Sequence, residues 1–77
     1  SGQSMRAAEA LFYDKKLVTN NPLILKYDFY HRDNIFILGY DDLSRFDEFI
    51  TTPFNHSVDK YKENYTFEAW FNRFNNQ

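Results

Sequence analysis

The sequence predicts a small α+β domain, and three observations carry that expectation. Two apolar runs rich in aromatic and β-branched residues, Leu23 to Tyr30 and Ile35 to Tyr40, flank the short polar break His31-Arg32-Asp33-Asn34, the pattern of a β-hairpin. An Ala- and Glu-rich stretch, Met5 to Lys16, precedes them. Apolar residues at helical spacing follow them. The predicted order is an N-terminal helix, a hairpin over 23–30 and 35–40, and two or three C-terminal helices over 42–51, 58–64 and 67–75.

Length and composition set the limits. A chain of 77 residues makes one small domain, and an apolar fraction of 43% suffices for a packed core. Without cysteine there is no disulfide and no thiolate metal site. Aromatic residues must supply much of the burial: nine Phe, six Tyr and one Trp make up 21% of the chain. So many large side chains exceed what a domain this small readily hides, which implies that some stay at the surface or at an interface.

The formal charge of −2 is close to neutral and well mixed. That argues against a dedicated nucleic-acid binder, which carries a strong basic excess. No apolar run approaches the roughly 20 residues of a membrane span, and no signal peptide is visible. These features, with the lack of cysteine, suggest an intracellular setting. Ser1-Gly2-Gln3-Ser4 ahead of Met5 reads as an expression remnant, leaving 5–77 as the domain.

Ala and Glu favour a helix over Met5 to Lys16, with Ser4 as its cap, Lys15 and Lys16 at its C-terminal dipole, and Ala8, Leu11, Phe12 and Lys15 on one face. A rival reading makes Ala10 to Val18 a first strand, with Asp14-Lys15-Lys16 as a bend. It matters because a lone two-stranded hairpin is marginal in water.

Thr19-Asn20-Asn21-Pro22 is a loop, since Pro22 denies helix to Asn21. From Leu23 the residues alternate, with Leu25, Tyr27 and Phe29 inward and Ile24, Lys26, Asp28 and Tyr30 outward. The return strand is apolar on both faces, Ile35 and Ile37 against Phe36, Leu38 and Tyr40. A strand of this kind is covered on both sides, and part of the cover is expected from a partner. Gly39 marks a bulge or close approach.

Asp41-Asp42 starts the next helix, whose stripe is Leu43, Phe46, Phe49 and Ile50, and Pro53 ends it. Phe54 then sits in a loop. Ser57 caps a helix with Val58, Tyr61 and Tyr65 on one side. Phe67, Trp70, Phe71 and Phe74 form a stripe on nearly the opposite side, which favours a break near Asn64-Tyr65-Thr66.

No catalytic, metal or phosphate signature rises above chance. His31, Asp33 and Asp28 fall short of the three or four convergent ligands a metal needs. Asp41-Asp42 with Asp47-Glu48 reads as a cap and a wet helix face rather than paired acid–base carboxylates. Ser44, Ser57, His31 and His56 show no triad spacing. Asn55-His56-Ser57 and Asn64-Tyr65-Thr66 fit the glycosylation pattern at a frequency chance explains. Lys15, Lys16, Lys26, His31 and Arg32 beside Tyr27 or Tyr30 could stack single-stranded bases on a hairpin, though Asp28, Asp33, Asp41 and Asp42 would oppose phosphates.

The sequence therefore points to a non-catalytic, cofactor-free interaction domain whose partner is another protein or a second copy. The candidate binding residues are Tyr30, Tyr40, Phe54 and Trp70. A nucleic-acid module using the hairpin is the alternative, and an enzyme comes third.

Overall fold

A computed structural model describes residues 2–63. Helix α1 (Gly2–Phe12), strand β1 (Leu17–Thr19), strand β2 (Ile35–Ile37), helix α2 (Phe46–Thr51) and helix α3 (Asp59–Glu63) follow in that order. Short 3-10 helices at Pro22–Lys26, Leu43–Arg45 and His56–Val58 complete the set. The α+β class, the N-terminal helix, the number of strands, the second strand within 35–40 and the helices after it stand as the sequence predicts. The expected helix at 67–75 lies outside the described residues.

Helix α1 begins inside the supposed leader: Gly2 to Ser4 are helical, so Ser4 is an interior residue and not the cap. The helix buries Ala7, Ala8 and Leu11. Its end satisfies two of the carbonyls that every helix terminus leaves open. Lys15 N–H donates to the Ala10 carbonyl at 2.8 Å and Asp14 N–H to the Leu11 carbonyl at 3.3 Å. This is the Schellman arrangement, and it needs a left-handed residue at the turn. Asp14 takes that place with φ 56°. Aspartate tolerates the conformation better than most side chains. Both readings of this region are thus partly right: a helix to Phe12, a bend at Asp14, then a strand from Leu17.

The strands do not form the expected hairpin. β1 pairs with β2 in parallel, Leu17 opposite Ile35 and Thr19 opposite Ile37. A parallel pair needs a crossover of about a dozen residues or more, and the segment from Asn20 to Asn34 provides it. The expected first hairpin strand, 23–30, is instead a 3-10 helix over Pro22–Lys26 followed by turns. Its start is local chemistry. Asn21 Oδ1 accepts from Leu23 N–H at 3.0 Å, and Pro22 occupies the first helical position, where a missing N–H costs nothing. The alternation from Leu23 onward therefore does not sort faces as a strand would. Ile24, expected outside, is fully buried, while Phe29 is buried as expected.

β2 has two covered faces, and at Ile35–Ile37 the cover comes from this chain rather than from a partner. Ile35 and Ile37 join Ala7, Ala8, Leu11, Ile24, Phe29 and Val58 in the main core cluster. Phe36 packs on the other side, its ring 5.2 Å from Phe46 and 5.5 Å from Phe49 between centroids. Two cations close over this aromatic layer. Lys16 Nζ lies 4.6 Å from the Phe49 ring centre and also donates to the Phe49 carbonyl. The Arg45 guanidinium lies 5.4 Å from the Phe36 ring, the geometry of cation–π attraction. Burial holds the Lys16 ammonium below its ordinary value, partly offset by the charge of Asp33.

The second half follows its capping residues. Asp42 Oδ1 accepts from Ser44 N–H at 2.9 Å and opens the 3-10 turn that leads into α2. α2 stops at Thr51, as Pro53 dictates. Asn55, not Ser57, caps the next turn: Asn55 Oδ1 accepts from Ser57 N–H at 3.0 Å. Val58 enters the core and Tyr61 packs against it. Among the described residues no helix is long and apolar enough to cross a membrane.

Candidate interaction surface

Of the expected stripe on α2 and the turn before it, only Phe49 is fully buried and Phe46 is half-buried. Leu43 and Ile50 are 69% and 55% exposed, and Tyr40, just upstream, is 60% exposed. Leu43 and Ile50 are seven residues apart, which returns to nearly the same side of a helix. The apolar stripe therefore runs from the buried Phe49 through Phe46 to open side chains.

The surroundings are acidic. Asp42, Asp47 and Glu48 are all exposed, and among the described residues no cation pairs with them. Arg45 is already committed, 3.5 Å from Asp41, with both side chains largely buried. Asp41 in turn accepts from Ile37 N–H at 2.7 Å through Oδ2. The hydrogen bond from Ser44 holds the Asp42 carboxyl below its ordinary value.

The four expected binding residues have different fates. Tyr40 is open. Tyr30 is half-buried and packs against the core cluster; burial, then the charge of Asp41, raises its hydroxyl above the ordinary value. Phe54 is no exposed loop residue, because it packs against the core cluster with its ring 5.1 Å from that of His56. Trp70 lies outside the described residues. Leu43 and Ile50 escaped the sequence reading because an amphipathic stripe gives no sign of how much of it the rest of a small chain can cover.

Of the histidines and carboxylates singled out in the sequence, His31 and Asp33 meet within one turn, His31 Nδ1 lying 3.9 Å from Asp33 Oδ2. His31 Nδ1 accepts from Asp33 N–H at 3.0 Å, a turn contact. The first glycosylation-type asparagine, Asn55, spends its amide on Asp33 Oδ2 at 3.2 Å besides its capping role. Asn64 lies outside the described residues.

The structure builds a different polar cluster that no local motif announces. Asp14 from the α1 turn, His56, and Asp59 of α3 place one ligand atom each within 4.8 Å of one another. His56 Nδ1 is 3.0 Å from Asp59 Oδ2 and 4.0 Å from Asp14 Oδ1. Lys62 pairs with Asp14 and lies 3.4 Å from Asp59 Oδ1. Its ammonium supplies positive charge to both carboxylates, so a divalent cation would have to displace it. The cluster acts as an ionic latch between the end of α1 and α3.

That latch makes stability depend on pH. The Lys62 hydrogen bond and charge hold the Asp14 carboxyl below its usual 3.8, although burial opposes this. A carboxyl lowered on folding contributes fully above its unfolded value, and the contribution is lost as pH falls through the folded one. Burial lowers the Lys62 ammonium, but Asp14 and then Asp59 outweigh it and raise it above 10.5. Its contribution is present below the unfolded value and is lost as pH rises through the folded one. Thermal melts should show the Asp14→Asn variant losing less stability than the wild type on acidification from the unfolded value downwards. Parallel acid slopes would mean that the latch does not stabilise the fold. The pair is partly exposed, so salt should weaken the effect.

Comparison with protein families, with characterised proteins and with solved structures returns no match for this chain.

Proposed function

We propose that this is a non-catalytic protein-interaction domain, working inside the cell, whose α2 side docks on another protein or on a second copy. One observation carries the reading. Tyr40, Leu43 and Ile50, each more than half exposed, belong to one continuous segment and are bordered by carboxylates that no cation among the described residues pairs with. Single exposed apolar residues are ordinary, but a grouped set rimmed by polar groups is characteristic of docking surfaces. The acidic rim favours a partner whose apolar groove carries basic side chains, and it would also raise the rate of encounter.

The nucleic-acid alternative has less support. It needs an aromatic hairpin as a stacking platform, and the segment meant to supply it is a 3-10 helix and turns. The non-catalytic part of the proposal is supported by the sequence, in which Ser44, Ser57, His31 and His56 show no triad spacing.

Replacing Leu43 and Ile50 together with lysine tests the proposal. Both side chains are exposed, so stability should change by about 0.5 kcal/mol or less per site. Sedimentation of the wild type over a range of concentrations, and cross-linking in its native extract, should reveal an associated species that the double variant lacks. A wild type that stays monomeric, and whose cross-linked partners survive the double substitution, would refute this surface.

A further inference from the structure

We infer that the free edge of β1 is a second binding site, which takes up an extended peptide segment bearing a carboxylate. The inference extends the interaction-domain reading to a surface distinct from α2.

It starts from the backbone hydrogen bonds of the two strands. Leu17 N–H donates to the Asn34 carbonyl at 2.9 Å, and Leu38 N–H donates to the Thr19 carbonyl at 2.8 Å. In a parallel ladder, alternate residues of each strand turn toward the partner. Leu17 and Thr19 therefore face β2, and the N–H and C=O of Val18 point the other way. Among the described residues nothing pairs with them.

The outer side of β2 is treated differently. Ile35 N–H donates to the His31 carbonyl at 3.0 Å, and the Ile37 carbonyl accepts from Tyr40 N–H at 3.1 Å and Asp41 N–H at 2.8 Å. The Asp41 carboxylate takes Ile37 N–H. One edge of the sheet is closed by its own turns, and among the described residues the other is left open at Val18. Open edges invite strand addition, and proteins usually blunt them.

A groove of ≈ 430 Å³ lies at this open edge, lined by Arg6, Leu17, Val18, Thr19, Asn20 and Leu38. Val18 and Leu38 are each 44% exposed and offer apolar contact for alternate side chains of an added strand. Arg6 is exposed, and no carboxylate among the described residues pairs with it. Its planar guanidinium suits a carboxylate in two-pronged contact. Charge also disfavours a second copy as occupant. The stretch around β1, Lys15-Lys16-Leu17-Val18-Thr19-Asn20-Asn21, contains no acid to offer Arg6.

The probes are short end-blocked peptides of alternating valine and threonine carrying one glutamate, their glutamine counterparts, and a version with a free C-terminus as the only carboxylate. Amide shifts and amide exchange of the full chain provide the readout. Glutamate or free-carboxylate peptides should shift Leu17, Val18 and Leu38 and slow exchange at Val18; which of the two binds tighter identifies the source of the carboxylate. Arg6→Gln should weaken these peptides by about tenfold, as losing one charge-assisted hydrogen bond implies, and leave the glutamine peptides unchanged. N-methylation of the peptide residue facing Val18 should abolish the shifts without any change to the protein. A Val18 amide already protected in the free chain would overturn the inference, since the chain then covers its own edge. Protection that grows with protein concentration alone would assign the edge to a second copy and overturn it equally. No shift at β1 would also overturn it, and if the shifts fall on Leu43 to Ile50 instead, the edge site is lost while the interaction-domain reading stands.

Discussion

Replacing Phe36 by alanine should cost about 3–5 kcal/mol, the range for emptying a buried aromatic site, and should move the unfolding midpoint well below that of the wild type. Phe36 has no exposed surface. It occupies the centre of β2, and its ring touches two others on the α2 side, Phe46 edge-on at an interplanar angle of 86° and Phe49 tilted at 54°. The truncation removes these contacts and also leaves Arg45 without the ring beneath it. Small domains have roughly 0.05–0.15 kcal/mol of stability per residue, about 4–12 kcal/mol for a chain of this length, so a loss of this size consumes about a quarter of the total or more. Urea melts followed by circular dichroism provide the measurement, with Tyr40→Ala as the comparison. Tyr40 lies just beyond the same strand but is 60% exposed, so its loss should change stability by about 0.5 kcal/mol or less. A cost below about 1 kcal/mol at Phe36 would mean that α2 does not cover this face of the sheet.

Replacing Asn34 by alanine should cost about 2–3 kcal/mol, although the substitution removes little apolar contact. Asn34 is only 4% exposed. Its Nδ2 donates to the Asn55 carbonyl at 3.0 Å and its Oδ1 accepts from Asn55 N–H at 2.7 Å. The side chain thus imitates a strand partner and fastens the segment before α3 to the start of β2. Alanine leaves both backbone groups of Asn55 without partners in a half-buried place. Asn34→Asp separates this effect from side-chain size. Its carboxylate keeps an acceptor for Asn55 N–H but faces the Asn55 carbonyl with no donor. It should be as damaging as alanine at neutral pH and recover in acid, where a protonated carboxyl can donate. If Asn34→Ala melts like the wild type, water replaces the amide at no cost and the clamp is dispensable.

Asn34 also shows where sequence reading loses information. Taken locally, His31-Arg32-Asp33-Asn34 is a polar break between two apolar runs, and asparagine suits a turn. That much is right: Asn34 N–H closes a turn onto the His31 carbonyl at 3.0 Å. What cannot be seen locally is that its side chain reaches a segment far along the chain. The same limit governs the cluster of Asp14, His56, Asp59 and Lys62, whose members mean nothing singly and meet only because α3 returns to the end of α1.

The hairpin error has a more specific origin. Leu23 to Tyr30 alternates well enough to read as a strand, but Asn21-Pro22 is also a helix-opening pair, and that local signal won. The apolar run at Ile35–Ile37 held the correct clue, since near-continuous apolar strands belong to parallel pairs buried on both faces. The side chains expected at the surface match those found there only in part: Tyr40 is open, but Phe54 is not. Phe54 found cover against the core, whereas Leu43 and Ile50 did not.

By itself the sequence determined what nearest neighbours decide: the α+β class, the N-terminal helix, the turn at His31–Asn34 and the end of α2 before Pro53. Propensity, capping and backbone sterics act over a few residues, so they can be read in order along the chain. Only the tertiary structure decided which strands pair and in which direction, which apolar side chains find cover, and which charges meet in the latch between α1 and α3. Those outcomes depend on competition among distant segments for a small buried volume and a limited set of hydrogen-bond partners, and no window of sequence contains all the competitors.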